Sequence, residues 1–219
     1  MKYLALIMFA VAAFATPLVA HAQDATPVAT PLAPSPDECL VAPITVERLN
    51  GVLSGPSTAG TPESTVPEAV TEASPVASPA TFTMPEGTPA DDATTAAITA
   101  AVRSYLACIN AGDVAKVLAL YSDAGLQHLL AEAIAQGKTG EQILGLFGTP
   151  QPLTEDRVTL LYSIDAIVIL PDGRAAALVV GDDLTEPGPP GPALIYFVQV
   201  DDAWLVDGFV TTAEIMPTQ

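Results

Sequence analysis

The chain has 219 residues, and its 25 Asp and Glu residues outnumber 7 Lys and Arg residues to give a formal net charge of -18 at pH 7. This acid excess repels phosphate backbones and anionic lipid headgroups, so we expect neither nucleic-acid binding nor attachment to a membrane surface. No loop has EF-hand spacing, and no His or Cys pair is spaced for zinc, so neither a metal nor a cofactor is predicted. Acidic doublets at the ends of predicted elements are expected to be solvated: Asp91-Asp92, Asp182-Asp183 and Asp201-Asp202.

Residues 1–22 have the features of a secretory signal peptide, with a charged start at Met1-Lys2 and an apolar run from Tyr3 to about Ala15. Ala20-His21-Ala22 has the small-x-small pattern that signal peptidase recognises, so we predict cleavage after Ala22. The apolar run is shorter than the roughly 20 residues of a membrane-spanning helix, which makes a retained anchor the less favoured interpretation. We expect a secreted, extracellular protein with no membrane insertion after cleavage.

Residues 23–90 are rich in Pro, Thr, Ser and Ala and predict a disordered segment, because they offer too little apolar surface to offset the entropy of ordering. A short helix is predicted within this segment, near residues 45–53. Thr45 can cap it, and the apolar residues that follow have helical spacing: Val46, Leu49, Val52 and Leu53. Because an isolated helix of this length is marginal in water, it should either dock on another part of the chain or be unfolded.

The sequence contains two cysteines, Cys39 and Cys108, and an even number in an exported protein favours a disulfide. Cys108 lies about 100° from the centre of the apolar stripe of the first long helix. It falls on a flank of small residues where an incoming segment could pack: Ala97, Ala101 and Ser104. We predict that a Cys39–Cys108 disulfide staples the short helix onto the following domain; the alternative is two unpaired thiols.

Residues 91–219 predict one domain in which helices precede strands. Asp91 or Asp92 should cap the first helix, which ends at Asn110-Ala111-Gly112, and Asp113 should cap the second. The elements predicted after the first helix are helices Val114–Leu120 and Leu126–Gln136, a short helical turn from Thr139 to Phe147, and strands Arg157–Leu170, Arg174–Leu184, Ala193–Val200 and Ala203–Thr212. This order indicates an α+β fold with helices on one face of a four-stranded antiparallel sheet.

Two parts of this domain resemble the NTF2-like superfamily. The stretch Tyr105-Leu-Ala-Cys-Ile-Asn-Ala-Gly-Asp113, followed by Val117-Leu-Ala-Leu-Tyr121-Ser-Asp123, is similar to the helix–Gly-Asp–helix opening of NTF2-like domains. Trp204-Leu-Val-Asp207 is similar to their last strand, and the resemblance covers about Ala93–Val210. It implies a cone in which a curved sheet wraps around a long helix, with an apolar pocket between them and homodimerisation through the sheet.

The resemblance leaves an enzyme and a binding module as alternatives. SnoaL-like and ketosteroid-isomerase-like enzymes use a carboxylate or a His–Asp pair in an apolar pocket. Tyr105 lies about where the isomerases place an oxyanion-stabilising tyrosine, but the hairpin that carries their base is absent, and strand Ala193–Val200 has no carboxylate. His128, the one histidine left after cleavage, lies about 200° from Leu126 and should be exposed. No catalytic residue is therefore assigned.

Two acids and several aromatic residues remain as candidates for ligand contact. Asp165 interrupts an apolar strand, and Asp207 shares a face with Leu205 and Phe209. Alternation along a strand does not decide whether either acid points into the pocket, and an outward or hydrogen-bonded position is favoured. The aromatic candidates, which are more often core residues than ligand contacts, are Tyr105, Tyr121, Tyr162, Tyr196 and Trp204.

These observations favour a secreted, non-catalytic NTF2-like domain that binds a small apolar ligand or a protein partner. The alternative is a SnoaL-like or ketosteroid-isomerase-like enzyme that acts on a small hydrophobic substrate by acid–base chemistry.

Overall fold

A computed structural model describes residues 31–55, 84–182 and 190–211 of the chain. The predicted signal peptide and the greater part of the predicted disordered segment lie outside the described residues. The helices are α1 Val46–Ser54, α2 Asp92–Asn110, α3 Val114–Ala119, α4 Asp123–Leu129, α5 Ala131–Ala135 and α6 Gly140–Phe147. The strands are β1 Thr88–Pro89, β2 Leu161–Ile169, β3 Ala175–Gly181, β4 Gly191–Val200 and β5 Ala203–Thr211. Of the helices in the described ranges, none is long and apolar enough to cross a membrane.

Each α-helix except α5 begins where a side chain accepts a hydrogen bond from an otherwise unpaired amide of the first turn. The predicted caps are present: Thr45 on α1, Asp91 on α2, Asp113 on α3 and Thr139 on α6. Gly112, which follows the end of α2, has a φ of 61°, a conformation that glycine adopts without the steric cost of a side chain. The local sequence therefore specifies where most of these helices start and where the longest one ends.

The third predicted helix differs from the structure. The sequence predicted one helix over Leu126–Gln136, whereas the structure has α4 and α5, separated at Leu130. Leu130 has φ −100° and ψ 14°, outside helical geometry, and its side chain is buried in the core. Helix α4 also begins earlier than predicted, because the Ser122 side chain accepts a hydrogen bond from the Gly125 amide at 2.9 Å.

The sheet is antiparallel throughout, with strand order β1-β2-β3-β4-β5. It has five strands instead of the four predicted, because the two-residue strand β1 pairs with Val168 and Ile169 at the end of β2. Helices pack on one face, which we call the inner face. Ala175, Ala177 and Val179 lie on this face and join the main core. The fold is thus α+β, as predicted, with the helices on one side of the sheet.

Three β-bulges interrupt the alternation of side chains along the sheet. The register between β2 and β3 shifts at Tyr162 and again at Asp165, and the register between β4 and β5 shifts at Asp207. Each bulge adds one unpaired residue, so the residues beyond it reverse the face to which they point. Phe209 consequently pairs with Ile195 on the inner face, although it is two residues from the bulged Asp207.

Residues 31–55, which we call the N-terminal segment, are joined to the domain by the predicted disulfide between Cys39 and Cys108. Helix α1 packs against α4 and α6 with Leu49 and Val52 buried, so the predicted short helix is docked. Leu32 forms a single bridge to Leu161 at the start of β2. The N-terminal segment therefore contributes to the hydrophobic core of the domain. The disulfide is compatible with an extracellular protein.

Polar contacts reinforce this attachment. The buried Asn110 side chain donates to the Pro34 carbonyl at 2.9 Å and accepts from the Thr159 amide at 2.8 Å. The Arg48 guanidinium donates to the Tyr121 carbonyl at 2.7 Å and pairs with Asp123. Through Asn110 and Arg48, these contacts join the N-terminal segment to the end of α2 and to the residues that follow α3.

Candidate ligand-binding cavity

A cavity of about 460 Å³ lies between helices α2 and α3 and the inner face of the sheet. Its volume is within the range of roughly 300–1,000 Å³ that small-molecule sites occupy. Most of the lining residues are apolar. The described lining residues are Val102, Tyr105, Leu106, Val114, Val117, Leu118, Tyr121, Leu129, Leu130, Phe147, Thr159, Val179, Gly181, Asp182, Gly191, Pro192, Ala193, Ile195, Val206 and Phe209.

The periodicity of the helices and strands explains this apolar lining. Val102, Tyr105 and Leu106 are spaced three and four residues apart, which places them on the same face of α2. Val179 and Ile195 occupy inner-face positions of neighbouring strands. A space bounded by such surfaces is favourable for an apolar molecule, because water inside it finds few hydrogen-bonding partners.

Two tyrosine hydroxyls form the polar centre of the cavity wall. The hydroxyl oxygens of Tyr105 and Tyr121 are 2.9 Å apart, and the two rings pack edge to face with centroids 5.9 Å apart. Burial raises the pKa of both hydroxyls above the ordinary tyrosine value, and for Tyr121 the neighbouring Tyr105 raises it further. Both groups are therefore neutral at physiological pH. One hydroxyl donates to the other, which leaves the accepting hydroxyl with a proton available to a ligand.

Backbone pairing fixes the position of Tyr121 beside β5. Tyr121 forms a parallel bridge with Val206, whose amide donates to the Leu120 carbonyl at 2.8 Å and whose carbonyl accepts from the Ser122 amide at 2.9 Å. Gly125 permits this close approach, because a Cβ there would lie 2.7 Å from the Val206 carbonyl oxygen. The Tyr121 carbonyl also accepts from Arg48, so β5 and α1 both hold this residue.

The two acidic candidates from the sequence lie outside the cavity wall. Asp207, at its bulge, accepts a 2.6 Å hydrogen bond from the Ser122 hydroxyl and pairs with Arg174 at 3.2 Å. Asp165 is exposed at its own bulge in β2. The structure therefore does not bring these carboxylates together with Tyr105. Asp207 has a hydrogen-bonded position, and Asp165 an outward one.

Of the aromatic candidates, only Tyr105 and Tyr121 line the cavity. Tyr196 lies on the outer face, where the Arg174 guanidinium is 5.6 Å from its ring centroid. Trp204 packs against the main core. Tyr162 lies beside Asp182; partial burial, followed by the charge of that carboxylate and a hydrogen bond to it, raises the pKa of the Tyr162 hydroxyl.

His128 is exposed on α4, the position expected from the sequence. Within residues 31–55, 84–182 and 190–211, no group of three or more His, Cys, Asp or Glu side chains could hold a metal ion.

The lining residues that were not candidates from the sequence include Asp182, Phe147 and Phe209. Asp182 was expected to be an ordinary solvated acid, but it lines the cavity, and its Oδ2 accepts from the Leu160 amide at 2.8 Å. Phe147 and Phe209 form an apolar rim with Leu129; these side chains are 45%, 39% and 43% exposed. If the alternation of β3 continued, Asp182 would point to the outer face, because Gly181 points inward. The strand ends at Gly181, however, so this alternation does not apply to Asp182. The acidic doublet therefore gave no indication of a cavity position.

No family model, curated protein or solved structure matches the chain.

Proposed function

We propose that this chain is a secreted, non-catalytic NTF2-like domain that holds a small apolar ligand in the cavity between α2, α3 and the sheet. The observation that carries the proposal is the 460 Å³ cavity, whose wall is apolar apart from the Tyr105–Tyr121 pair, Thr159 and Asp182. A ligand that buries about 200 Å² of apolar surface there would gain roughly 5 kcal/mol before the costs of association. The tyrosine pair would orient the ligand by donating one hydrogen bond to it.

The positions of the acids favour binding over catalysis. Acid–base chemistry on a small hydrophobic substrate needs a carboxylate or histidine within hydrogen-bonding reach of the substrate. Asp207 is occupied by Ser122 and Arg174, Asp165 is exposed, and His128 is exposed. These groups are thus unsuited to act on a molecule in the cavity.

One observation supports the enzyme alternative: Asp182 and the tyrosine pair line the same cavity. A tyrosine hydroxyl can stabilise an enolate oxygen while a carboxylate moves a proton, as in a SnoaL-like or ketosteroid-isomerase-like enzyme. Exchange of acidic protons of a bound enolisable ketone with deuterated solvent would test this alternative. Exchange that the wild type accelerates and Asp182→Asn does not would favour the enzyme; equal rates would favour the binding domain.

The NTF2-like assignment draws support from the arrangement of the elements. Helix α2, with 19 residues, is the longest described helix and packs on the inner face of an antiparallel sheet, with the cavity between them. The outer face carries a second apolar cluster around Ala176 and Leu194. Because Ala176 and Leu194 are already buried within the single chain, homodimerisation through the sheet rests on the family resemblance alone. Sedimentation equilibrium of the mature protein should then give twice the chain mass, whereas a monomer at all concentrations would remove the dimer from the proposal.

Native mass spectrometry of the mature protein, purified from culture medium without denaturation, tests the binding proposal. We expect an additional mass of roughly a few hundred daltons, the size of a molecule that fits such a cavity, which denaturation releases. A chain mass alone, both before and after incubation with an extract of small apolar molecules, would contradict it.

A further inference from the structure

We infer that the cavity selects apolar molecules that carry a positive charge, such as lipophilic amines, over fatty acids of the same size. This inference rests on the proposed function, because it names the class of ligand for the same cavity. Among the lining residues that the structure describes, Asp182 is the one carboxylate, and Lys, Arg and His are absent. A bound cation therefore has a counter-charge in the wall, whereas a bound anion has none.

The backbone holds the Asp182 carboxylate in place. Its Oδ2 accepts from the Leu160 amide at 2.8 Å, and its own amide donates to the Leu160 carbonyl at 3.2 Å. A carboxylate has about four acceptor positions, so those that Leu160 leaves free can accept from an ammonium group. Because the carboxylate is already ordered, pairing with a ligand loses little additional conformational entropy.

The difference in exposure between the polar groups of the wall predicts how the ligand is oriented in the cavity. Asp182 is partly exposed, while Tyr121 is almost fully buried, so the charged position lies nearer to solvent than Tyr121. An ammonium group beside Asp182 would keep part of its hydration, which avoids most of the cost of burying a charge. The apolar body would then extend between α2 and the sheet toward Tyr105 and Tyr121.

The net charge of the whole chain also favours cationic ligands over anionic ones. A formal charge of -18 attracts cations and repels anions at long range. This general attraction differs from local pairing with Asp182, because it does not depend on any single carboxylate and is screened by salt. A test must therefore compare loss of Asp182 with loss of an equal charge elsewhere.

Displacement of the neutral fluorophore phenylnaphthylamine from the mature protein provides this test. The competitors are n-decylamine, n-decanol and n-decanoate, which share one chain and differ in the charge of the head group; all are used below their micelle-forming concentrations. We expect decylamine to bind about fivefold more tightly than decanol, which is the size of one partly exposed ion pair, and decanoate to bind most weakly.

The matched variants are Asp182→Asn and Asp202→Asn. Asparagine at 182 keeps an oxygen that can accept from Leu160, and asparagine at 202 tolerates the φ of 64° in the turn between β4 and β5. Residue 202 lies at the far end of β4 from Gly191, roughly 30 Å from the cavity end of that strand. Asp182→Asn should remove the preference for decylamine over decanol, and Asp202→Asn should retain it.

The possible failures are distinguishable. If decanol and decylamine displace the fluorophore equally, or if both variants lose the preference to the same extent, the selectivity for cations is overturned and the binding proposal stands. If the fluorophore does not bind and none of the three competitors changes the thermal stability of the protein, the binding proposal fails and the inference fails with it.

Discussion

The N-terminal segment and the cavity lie on neighbouring sides of α2 but differ in the interactions that their residues make. A disulfide, two ion pairs and several hydrogen bonds hold residues 31–55 to the domain, among them the bonds of Arg48 and Asn110. The cavity has a wall that is apolar apart from the tyrosine pair, Thr159 and Asp182, and the side chains that the structure describes do not fill it. Folding stability and ligand affinity should therefore depend on different residues.

The largest effect on stability should come from the disulfide. The bond closes a loop across 69 residues of sequence, so the double change Cys39→Ser with Cys108→Ser should lower the free energy of unfolding by about 4 kcal/mol on the chain-entropy estimate. Guanidinium denaturation monitored by circular dichroism measures this loss. Wild-type protein unfolded in the presence of a reductant is the control and should match the double variant. A loss below about 1 kcal/mol would mean that noncovalent contacts alone hold the segment.

A smaller loss is expected for Arg48→Met, which keeps much of the side-chain volume but removes the donors to the Ala119 and Tyr121 carbonyls. Leaving partly buried carbonyls without a partner should cost about 2 kcal/mol. The matched control is Arg103→Met, which breaks a partly exposed pair with Glu38 and should cost less than about 1 kcal/mol. Equal losses in the two variants would contradict a specific role of Arg48 in holding Tyr121.

Tyr105→Phe should affect ligand affinity more than it affects stability. It removes the hydroxyl that pairs with Tyr121 at 2.9 Å and keeps the ring in the cavity wall. One neutral hydrogen bond corresponds to about 1 kcal/mol, so the affinity for a ligand such as decanol should fall about fivefold. Tyr196→Phe, on the outer face of the sheet, is the control and should leave this affinity unchanged. An unaltered affinity in Tyr105→Phe would remove the tyrosine pair from the proposed site.

The smallest effect should be a pH dependence from the cap of α2. The Thr94 amide donates to Asp91 at 2.7 Å and lowers the pKa of that carboxyl below its ordinary value. Because the folded state has the lower pKa, the contribution of Asp91 is present above the ordinary pKa of aspartate and is lost as the pH falls from there through the lower pKa of the folded state. Asp91→Asn caps without titrating, so the melting temperatures of variant and wild type should converge between pH 7 and about pH 3. A constant difference would contradict the role assigned to the ionised cap.

Features set by neighbouring residues could be predicted from the sequence. Each of the caps at Thr45, Asp91, Asp113 and Thr139 depends on a side chain and the amide three residues later, and each is present. The disulfide was also predictable, because the chain has only two cysteines and Cys108 lies on a small-residue flank of α2. The signal peptide and the homodimer remain predictions.

Features set by pairing between distant strands could not be predicted. The bulges at Asp165 and Asp207 depend on how β2 and β5 match their neighbours, so alternation along either strand could not place these acids. Asp182 was missed for a related reason, since its position follows from the end of β3 and its bond to Leu160. Ligand contact by Tyr105 and Tyr121 remains a prediction, now with a cavity in which it can be tested.

Filling the cavity provides the decisive test of whether ligand binds there. Ala193→Phe places a ring in the wall of the cavity on β4, while Ala203→Phe makes the same change at an exposed position at the start of β5. Phenylnaphthylamine affinity should fall at least about tenfold in Ala193→Phe and remain unchanged in Ala203→Phe, with both proteins keeping cooperative thermal unfolding. Equal affinity in the wild type and in a folded Ala193→Phe would contradict binding in this cavity.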